Sequence, residues 1–376
     1  GGGGFAGGGF GQQQQQQHGG GRGGGRGGGR GGGRGGGKGR GGKQRSTPPG
    51  LSTVDKVPSS RAEIRSIVVR DGKVYTAGAD SKISVYCFNA HRKLAPEYQV
   101  DAPGDVWCME IVGPFLFAGC KTREGGLIQA WNMDGGAQYK LQVSDGMPSH
   151  MTNVFALAVN SSSGILFSGG GLLDVGPHSD PVIRVWSLDG GAFKCVHEMK
   201  GHTGGIMSLQ CVLGEKFLVS GSFDGTIGVW NASNGAMVSA IQQAHQHPLF
   251  SMTSCALPNL GEFLFTAGQG QMVNVYQVLP TGEQQVSLTQ VKEHDVGTRG
   301  GSSVMSTGVV ANKQGIPHLA VGFSDGHLKM YTLPDLKNAG FWKPHNGEVF
   351  SISVWHEQNM FAVGSFDKSF SCFYYQ

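Results

Sequence analysis

One phrase recurs seven times between Gly78 and Phe373: a small residue, a glycine, a polar turn, then an alternating strand that ends in an aromatic. The fullest copy is Val219-Ser220-Gly221-Ser222-Phe223-Asp224-Gly225-Thr226-Ile227-Gly228-Val229-Trp230. The closing aromatics are Tyr86, Trp131, Trp186, Trp230, Tyr276, Tyr331 and Phe373, spaced by 45, 55, 44, 46, 55 and 42 residues. A period in this range, with a tight turn between two strands in each copy, is that of a β-propeller blade. The expected fold is therefore all-β and seven-bladed, with every second strand side chain packed between blades. Glycines before the turns are expected to supply positive φ or close backbone approach. A propeller is a binding platform first, so the question is which partner it holds.

The chain ends three residues after the seventh aromatic, which leaves the last blade without an outer strand. A strand from residues 50–57 would complete it and close the ring, removing exposed blade edges. Residues 47–60 are accordingly read as a linker with a ring-closing strand, and 61–376 as the propeller.

Residues 1–46 differ in kind. The first 45 hold 26 of the 66 glycines, a run of six glutamines, and no acidic residue. They cannot bury enough apolar surface to offset ordering entropy, and are read as a disordered tail. Arg22, Arg26, Arg30, Arg34, Lys38, Arg40, Lys43 and Arg45 supply eight positive charges. Removing these from 30 Lys+Arg leaves 22 basic against 26 acidic residues, so the net basicity belongs to the tail. Each Arg offers donors that suit phosphate oxygens and a flat face that stacks on bases. The Arg-Gly repeat thus points to RNA contact of low sequence selectivity. A protein or condensate contact, or a merely solubilising tail, are the competing readings. Such runs also resemble arginine methyltransferase substrates.

Gly201-His202 with Ser220 or Ser222, Asp224 and Trp230 resembles the WD-repeat family. The resemblance implies a WD40-type propeller and a hydrogen-bonded chain from Trp230 through Ser and His202 to Asp224, complete only in this blade. His345 and Asp367 keep part of the pattern but end in Phe373, and Glu293-His294 with Asp325 ends in Tyr331. His245 and His247 lie in another loop leading into a blade, where one is expected to serve as a similar strut. A narrower resemblance, to plant and algal WD-repeat proteins with CCCH zinc fingers, rests on several runs. These are Gly104-Asp105-Val106-Trp107-Cys108 through Ala130-Trp131-Asn132, Lys200-Gly201-His202-Thr203-Gly204-Gly205, and Lys329-Met330-Tyr331-Thr332-Leu333-Pro334. It implies nucleic-acid binding through fingers, yet the tail holds His18 and no cysteine, so no metal ligand carries over. Zinc enters only if fingers precede Gly1.

The remaining chemistry is sparse. Seven dispersed cysteines without a C-x-x-C pair read as reduced structural thiols of an intracellular protein, nuclear or nucleocytoplasmic. No apolar run is long enough to span a membrane. No nucleophile elbow, phosphate loop or H-E-x-x-H pattern occurs, so neither enzyme, cofactor nor small-molecule substrate is expected. Residues 170–182 and 289–303 stand out as insertions. They are expected to share one rim with Lys121 and Arg123, and the second brings Lys292 and Arg299, making that rim the candidate protein-docking face. The reading is a non-enzymatic scaffold that docks protein while its tail contacts RNA. The alternative is a protein-only scaffold such as a ubiquitin-ligase substrate receptor, which the missing Trp-Asp-x-Arg box disfavours.

Overall fold

A computed structural model describes residues 47–58, 62–89, 93–134, 136, 138–141, 149–189, 193–297 and 300–376. The Arg-Gly segment 1–46 and Arg299 lie outside the described residues. Strands alternate with tight turns throughout, and the sheet pairing groups them into seven four-stranded antiparallel blades. Blade 1 runs through Ile64–Arg70, Lys73–Gly78, Lys82–Phe88 and Leu94–Asp101, from the axis outward. The inner strands of blades 2 to 7 are Asp105–Val112, Asn153–Asn160, Ile206–Val212, Leu249–Leu257, Val304–Ala311 and Val349–Trp355. Each inner strand contacts those before and after it, and the seventh contacts the first.

The outer strand of blade 7 is Leu51–Pro58, paired antiparallel with Ser369–Tyr375 so that Leu51 faces Tyr375 and Pro58 faces Ser369. Two further contacts hold it. Gln376 N–H donates to Gly50 O at 2.9 Å, and the Lys56 ammonium donates to Pro344 O at 2.6 Å. The two ends of the propeller therefore lie in one sheet, and no blade is left with an unpaired inner or outer neighbour.

There is no single core. The described residues form seven buried clusters, and each straddles two consecutive blades. One joins Val219 and Val229 of blade 4 to Leu249, Leu264 and Tyr276 of blade 5. Another joins Phe370 and Cys372 of blade 7 to Ile64, Val74 and Tyr86 of blade 1. Alternation delivers this directly, since one face of each strand meets the preceding blade and the other the next.

The repeated glycine of the second strand is explained by close approach rather than by positive φ. A Cβ on Gly221 would lie 2.3 Å from a methyl of Leu249, the first inner-strand residue of the next blade. Gly169 meets Ile206 at 2.4 Å, Gly322 meets Val349 at 2.4 Å, and Gly119 and Gly364 meet Val154 and Ile64 at 2.7 Å. Ala77 and Ala267 occupy the same register in blades 1 and 5. Serine hydroxyls add polar ties: Ser351 and Ser353 accept from Ile67 and Val69 N–H, Ser208 from Met252 N–H, and Ser251 from Thr307 N–H.

The second expected insertion is corrected. Residues 289–295 continue a long hairpin, Met272–Gly282 with Gln285–Asp295, and of the rest the described residues 296–297 and 300–303 lie outside strands. Lys292 is thus an outer-strand residue whose ammonium donates to Asp335 O of blade 6. His294 lies on the same strand, with its ring edge-on to Tyr331, while Asp325 pairs with His327 at 3.0 Å. The expected His294–Asp325 pairing does not form.

Gly221→Ala should destabilise the propeller by about 1–3 kcal/mol through overpacking against Leu249. Gly282→Ala, where a Cβ meets nothing nearer than 3.6 Å, should leave the thermal midpoint within experimental error. Equal effects of the two in a calorimetric scan would discount close approach as the reason for the glycine.

Candidate docking face and its blade struts

The loops leading into the blades and the turns between second and third strands meet at one rim. Thr203 N–H, in the loop leading into blade 4, donates to the turn carboxylate Asp224 Oδ2 at 2.8 Å. Beneath this contact lies the expected chain of hydrogen bonds. The Trp230 indole N–H donates to Ser220 Oγ at 2.8 Å, and Ser220 Oγ lies 2.7 Å from His202 Nε2. His202 Nδ1 is 2.8 Å from Thr226 Oγ1, which donates to Asp224 Oδ1 at 2.6 Å. The donor inventory settles the tautomer: Thr226 has given its proton to Asp224, so Nδ1–H donates and Nε2 accepts from Ser220. His202 reaches Asp224 itself only at 3.6 Å, so Thr226 is the link the sequence reading omitted. Burial works against the Asp224 carboxylate, but the His202 ring close by and hydrogen bonds from Thr226 and Thr203 hold it far below the ordinary carboxyl range.

A second complete network stands in blade 3, which corrects the expectation of one. Trp186 N–H donates to Ser168 Oγ at 2.8 Å, and His150 Nε2 lies 2.8 Å from the same oxygen. His150 Nδ1 is 3.2 Å from Asp180 Oδ2 and 2.7 Å from Arg184 Nη1. The Asp180 carboxylate can only accept and the Arg184 guanidinium can only donate, so His150 Nδ1 sits between an acceptor and a donor, unlike His202 Nδ1, which faces Thr226 alone. Burial, with Arg184 beside it, lowers the His150 pKa. Asp180 was missed because it lies near the end of the 172–181 insertion, which breaks the spacing between serine and aspartate. A histidine shortly before the inner strand and an aspartate shortly before the third strand were the available signals.

Elsewhere the network is partial for reasons visible in register. Leu116, Leu166 and Leu218 each face their blade's tryptophan, and two residues on stand Ala118, Ser168 and Ser220. Ala118 offers no acceptor, and Trp131 Nε1 is buried without a partner among the described residues. In blade 7 Val363 and Phe373 replace serine and tryptophan; His345 Nδ1 holds Asp367 at 3.1 Å, while its Nε2 is unpartnered. In blade 5 His245 Nε2 contacts Thr266 Oγ1 at 2.7 Å and no carboxylate joins it.

The rim encloses a feature that sequence reasoning missed. Every inner strand carries a β-bulge at its second or third residue: Arg65, Trp107, Phe155, Met207, Phe250, Met305 and Phe350. A bulge turns a side chain out of the ladder, and here it does so at the axial end next to the leading loops. The side chains converge across blades. The Arg65 guanidinium lies 4.1 Å over the Trp107 ring, Trp107 meets Phe155 edge-on at 5.1 Å, and Trp107 reaches Phe350 at 6.1 Å. Phe350 stacks on Phe366 of a rim turn at 5.0 Å. Glu63 and Asp105 hold Arg65 at 3.2 and 3.3 Å. The sequence signal was present, since Val106-Trp107, Val154-Phe155, Ile206-Met207, Leu249-Phe250, Val304-Met305 and Val349-Phe350 each break strand alternation with two adjacent apolar residues.

Of the expected rim cations, Lys121 ends the strand Phe115–Lys121 and Arg123 sits in the following turn, both exposed. Lys292 is elsewhere, as described above. Exposed Met151, Leu172, Leu173 and Val175 add an apolar surface on blade 3, with Val175 bridged to Gly204 of the neighbouring leading loop. No group of three or more metal-ligating side chains occurs among the described residues, nor does a helix long and apolar enough to cross a membrane.

Comparison with known proteins agrees with this geometry. Residues 193–231 match the family described as WD40, WD domain, G-beta repeat. An 87-residue stretch is 32% identical to Mitochondrial division protein 1 of Neurospora crassa, covering 23% of this chain and 12% of that protein. Another, of 100 residues, is 31% identical to a bromodomain and WD repeat-containing protein of Dictyostelium discoideum, covering 27% of this chain and 4% of that one. Over 189 residues the chain is 23% identical to Zinc finger CCCH domain-containing protein 62 of Arabidopsis thaliana, covering 49% of this chain and 40% of that protein. The chain spans less than half the length of each of these relatives.

Removing the shared acceptor with Ser220→Ala leaves Trp230 N–H and His202 unpaired and should cost about 1–3 kcal/mol in urea unfolding. Stability should also fall with acid in two stages. Burial lowers His245 from 6.5 to about 4 and lowers His150 and His345, so the unfolded chain binds protons first. Their contribution is full above about pH 6.5 and is lost as pH falls towards 4. Asp367, where burial is outweighed by hydrogen bonds from Ser369 and Asn346, is held at about 2. Its contribution is present above about 3.8 and is lost as pH falls through 2. A midpoint that rises between pH 7 and pH 5 would contradict the histidine assignment.

Proposed function

We propose that this seven-bladed WD-repeat propeller is a scaffold that grips protein partners at the bulge ring of its axial mouth, while the Arg-Gly segment contacts RNA. The observation that carries the first part is the ring itself. Aromatic residues, methionine and arginine are the side chains enriched at the cores of protein interfaces. Here Trp107, Phe155 and Phe350 form a pre-assembled cluster with Arg65 stacked on it. The cluster is held by inner strands on all sides rather than by loops, so a partner side chain entering it meets a surface already ordered. Little ordering entropy then opposes binding. The exposed Met151, Leu172, Leu173 and Val175 extend the apolar area outward over blade 3.

The RNA part rests on the sequence: eight cations at short intervals in a glycine-rich segment with no acidic residue to oppose them. The propeller itself, at 22 basic against 26 acidic residues from 46 onward, offers no comparable field.

Two measurements separate these parts. Truncating Trp107 and Phe350 to alanine should weaken binding of propeller partners by at least about 2 kcal/mol, the scale of interface hot spots. Quantitative affinity purification compares the partners recovered by the parent chain and the variant, and unchanged recovery would remove the mouth as the docking site. RNA binding of the full chain should fall with salt, with a log–log slope of about −6 if all eight cations engage single strands. Deleting residues 1–46 should abolish most of that slope; an unaltered slope would dismiss the tail as the RNA contact.

A further inference from the structure

Blade 5 departs from blade 4 at one spot, and the departure leaves a hole. The register Ala267 to Val273 matches Gly221 to Ile227, so the turns have equal length and can be compared residue by residue. Gly270 stands where blade 4 has Asp224, and Met272 stands where it has Thr226. Both groups that fasten the blade 4 histidine are therefore gone, and His245 keeps only Thr266. The volume that the aspartate would occupy is open. Between residues 243–247 and 269–271 lies a cavity of about 400 Å³, at the small end of the range for ligand sites.

Its lining is unusual in composition. Among the described residues five glutamines, Asn274, His245, His247 and Glu293 surround it, with no lysine, arginine, phenylalanine, tyrosine or tryptophan. Asn274 occupies the register of Gly228, where blade 4 has no room for a side chain: a Cβ there would lie 2.8 Å from Ser220 Oγ. Asn274 is 4% exposed, and its amide nitrogen donates to Ala244 O at 2.7 Å. Its Oδ1 is buried and accepts no hydrogen bond. A buried acceptor left open in this way carries a free-energy cost until a donor reaches it. Burial keeps His245 neutral at physiological pH, so Glu293 supplies the one formal charge of the lining.

The geometry points to this cavity as a binding site for an arginine side chain presented by a protein partner. The site is rich in acceptors and carries a single carboxylate, and among its described lining residues an anion such as phosphate meets no lysine or arginine. A guanidinium brings five donors in one plane and is weakly hydrated for a cation, so amide oxygens can replace its water. An ammonium is compact and strongly hydrated, and gives up more on entering. The site lies on the blade rather than at the axial mouth, and stands whether or not the mouth holds a partner.

The test uses the full chain and acetyl-Gly-Arg-Gly-amide, followed by isothermal titration or by ligand-observed NMR. Saturable one-to-one binding is expected. The citrulline peptide, of the same shape without charge, and the lysine peptide should each bind at least tenfold more weakly. Glu293→Gln is exposed and near-isosteric, so the fold is retained, and it should weaken the arginine peptide about tenfold by removing a charge-assisted hydrogen bond. Trp107→Ala should leave that binding unchanged, which separates this site from the mouth. Equal binding of the three peptides, indifference to Glu293→Gln, or no saturable binding in the millimolar range would overturn the proposal. Loss of binding in Trp107→Ala would place the arginine at the mouth instead.

Discussion

Blade-to-blade contact at the missing Cβ organises the whole ring. In five blades a second-strand glycine receives the first or second inner-strand residue of the next blade, at distances that a methyl group would occupy. Because each buried cluster straddles two blades, no blade owns its core, and the spacing set at this glycine is passed around the ring. The last such contact, Gly364 to Ile64, joins the end of the propeller to its beginning. The shared sheet of residues 51–58 and 369–375 then secures that joint by main-chain hydrogen bonds.

On this frame the histidine struts are a local addition, present where their residues are and dispensable where they are not. Blades 3 and 4 carry complete networks with different partners at the histidine Nδ1, Asp180 and Arg184 in one and Thr226 in the other. Blade 2 keeps the tryptophan and lacks the serine, and blade 7 keeps the histidine and aspartate alone. The ring tolerates this erosion because apolar packing between blades does not pass through the struts. Where a strut is lost, the space is refilled or opened. In blade 6 the buried Lys329 ammonium reaches Val296 O, whereas in blade 5 the space becomes a polar cavity.

Function follows from the same division. The bulge near the start of each inner strand turns one side chain out of the ladder. Arg65, Trp107, Phe155 and Phe350, turned out in this way, meet in a cluster no single blade could make. The rim loops and the insertion at 172–181 surround it, and Lys121 and Arg123 are exposed on that rim. Lys292 belongs instead to the outer wall, because the hairpin that carries it is longer than its sequence pattern implied.

The sequence by itself determined the period, the count of blades, the closing strand and the strut of blade 4. The period, the count and the strut depend on residues close in the chain, with spacing constant enough to read directly. The closing strand pairs opposite ends of the propeller, and was legible because the seventh repeat lacked a fourth strand. Its charge pattern also set apart the segment 1–46, through composition alone. Tertiary structure decided which glycines serve close packing, since their neighbours lie one blade away in the fold. It also placed Asp180 under His150 across an insertion that sequence spacing could not bridge, and moved His294 away from Asp325. The aromatic mouth was hidden because Trp107, Phe155 and Phe350 look like ordinary strand residues until the bulges bring three blades together. The cavity in blade 5 needed the structure as well: an absent side chain at Gly270 opens a cavity only because residues 243–247 lie opposite it in the fold.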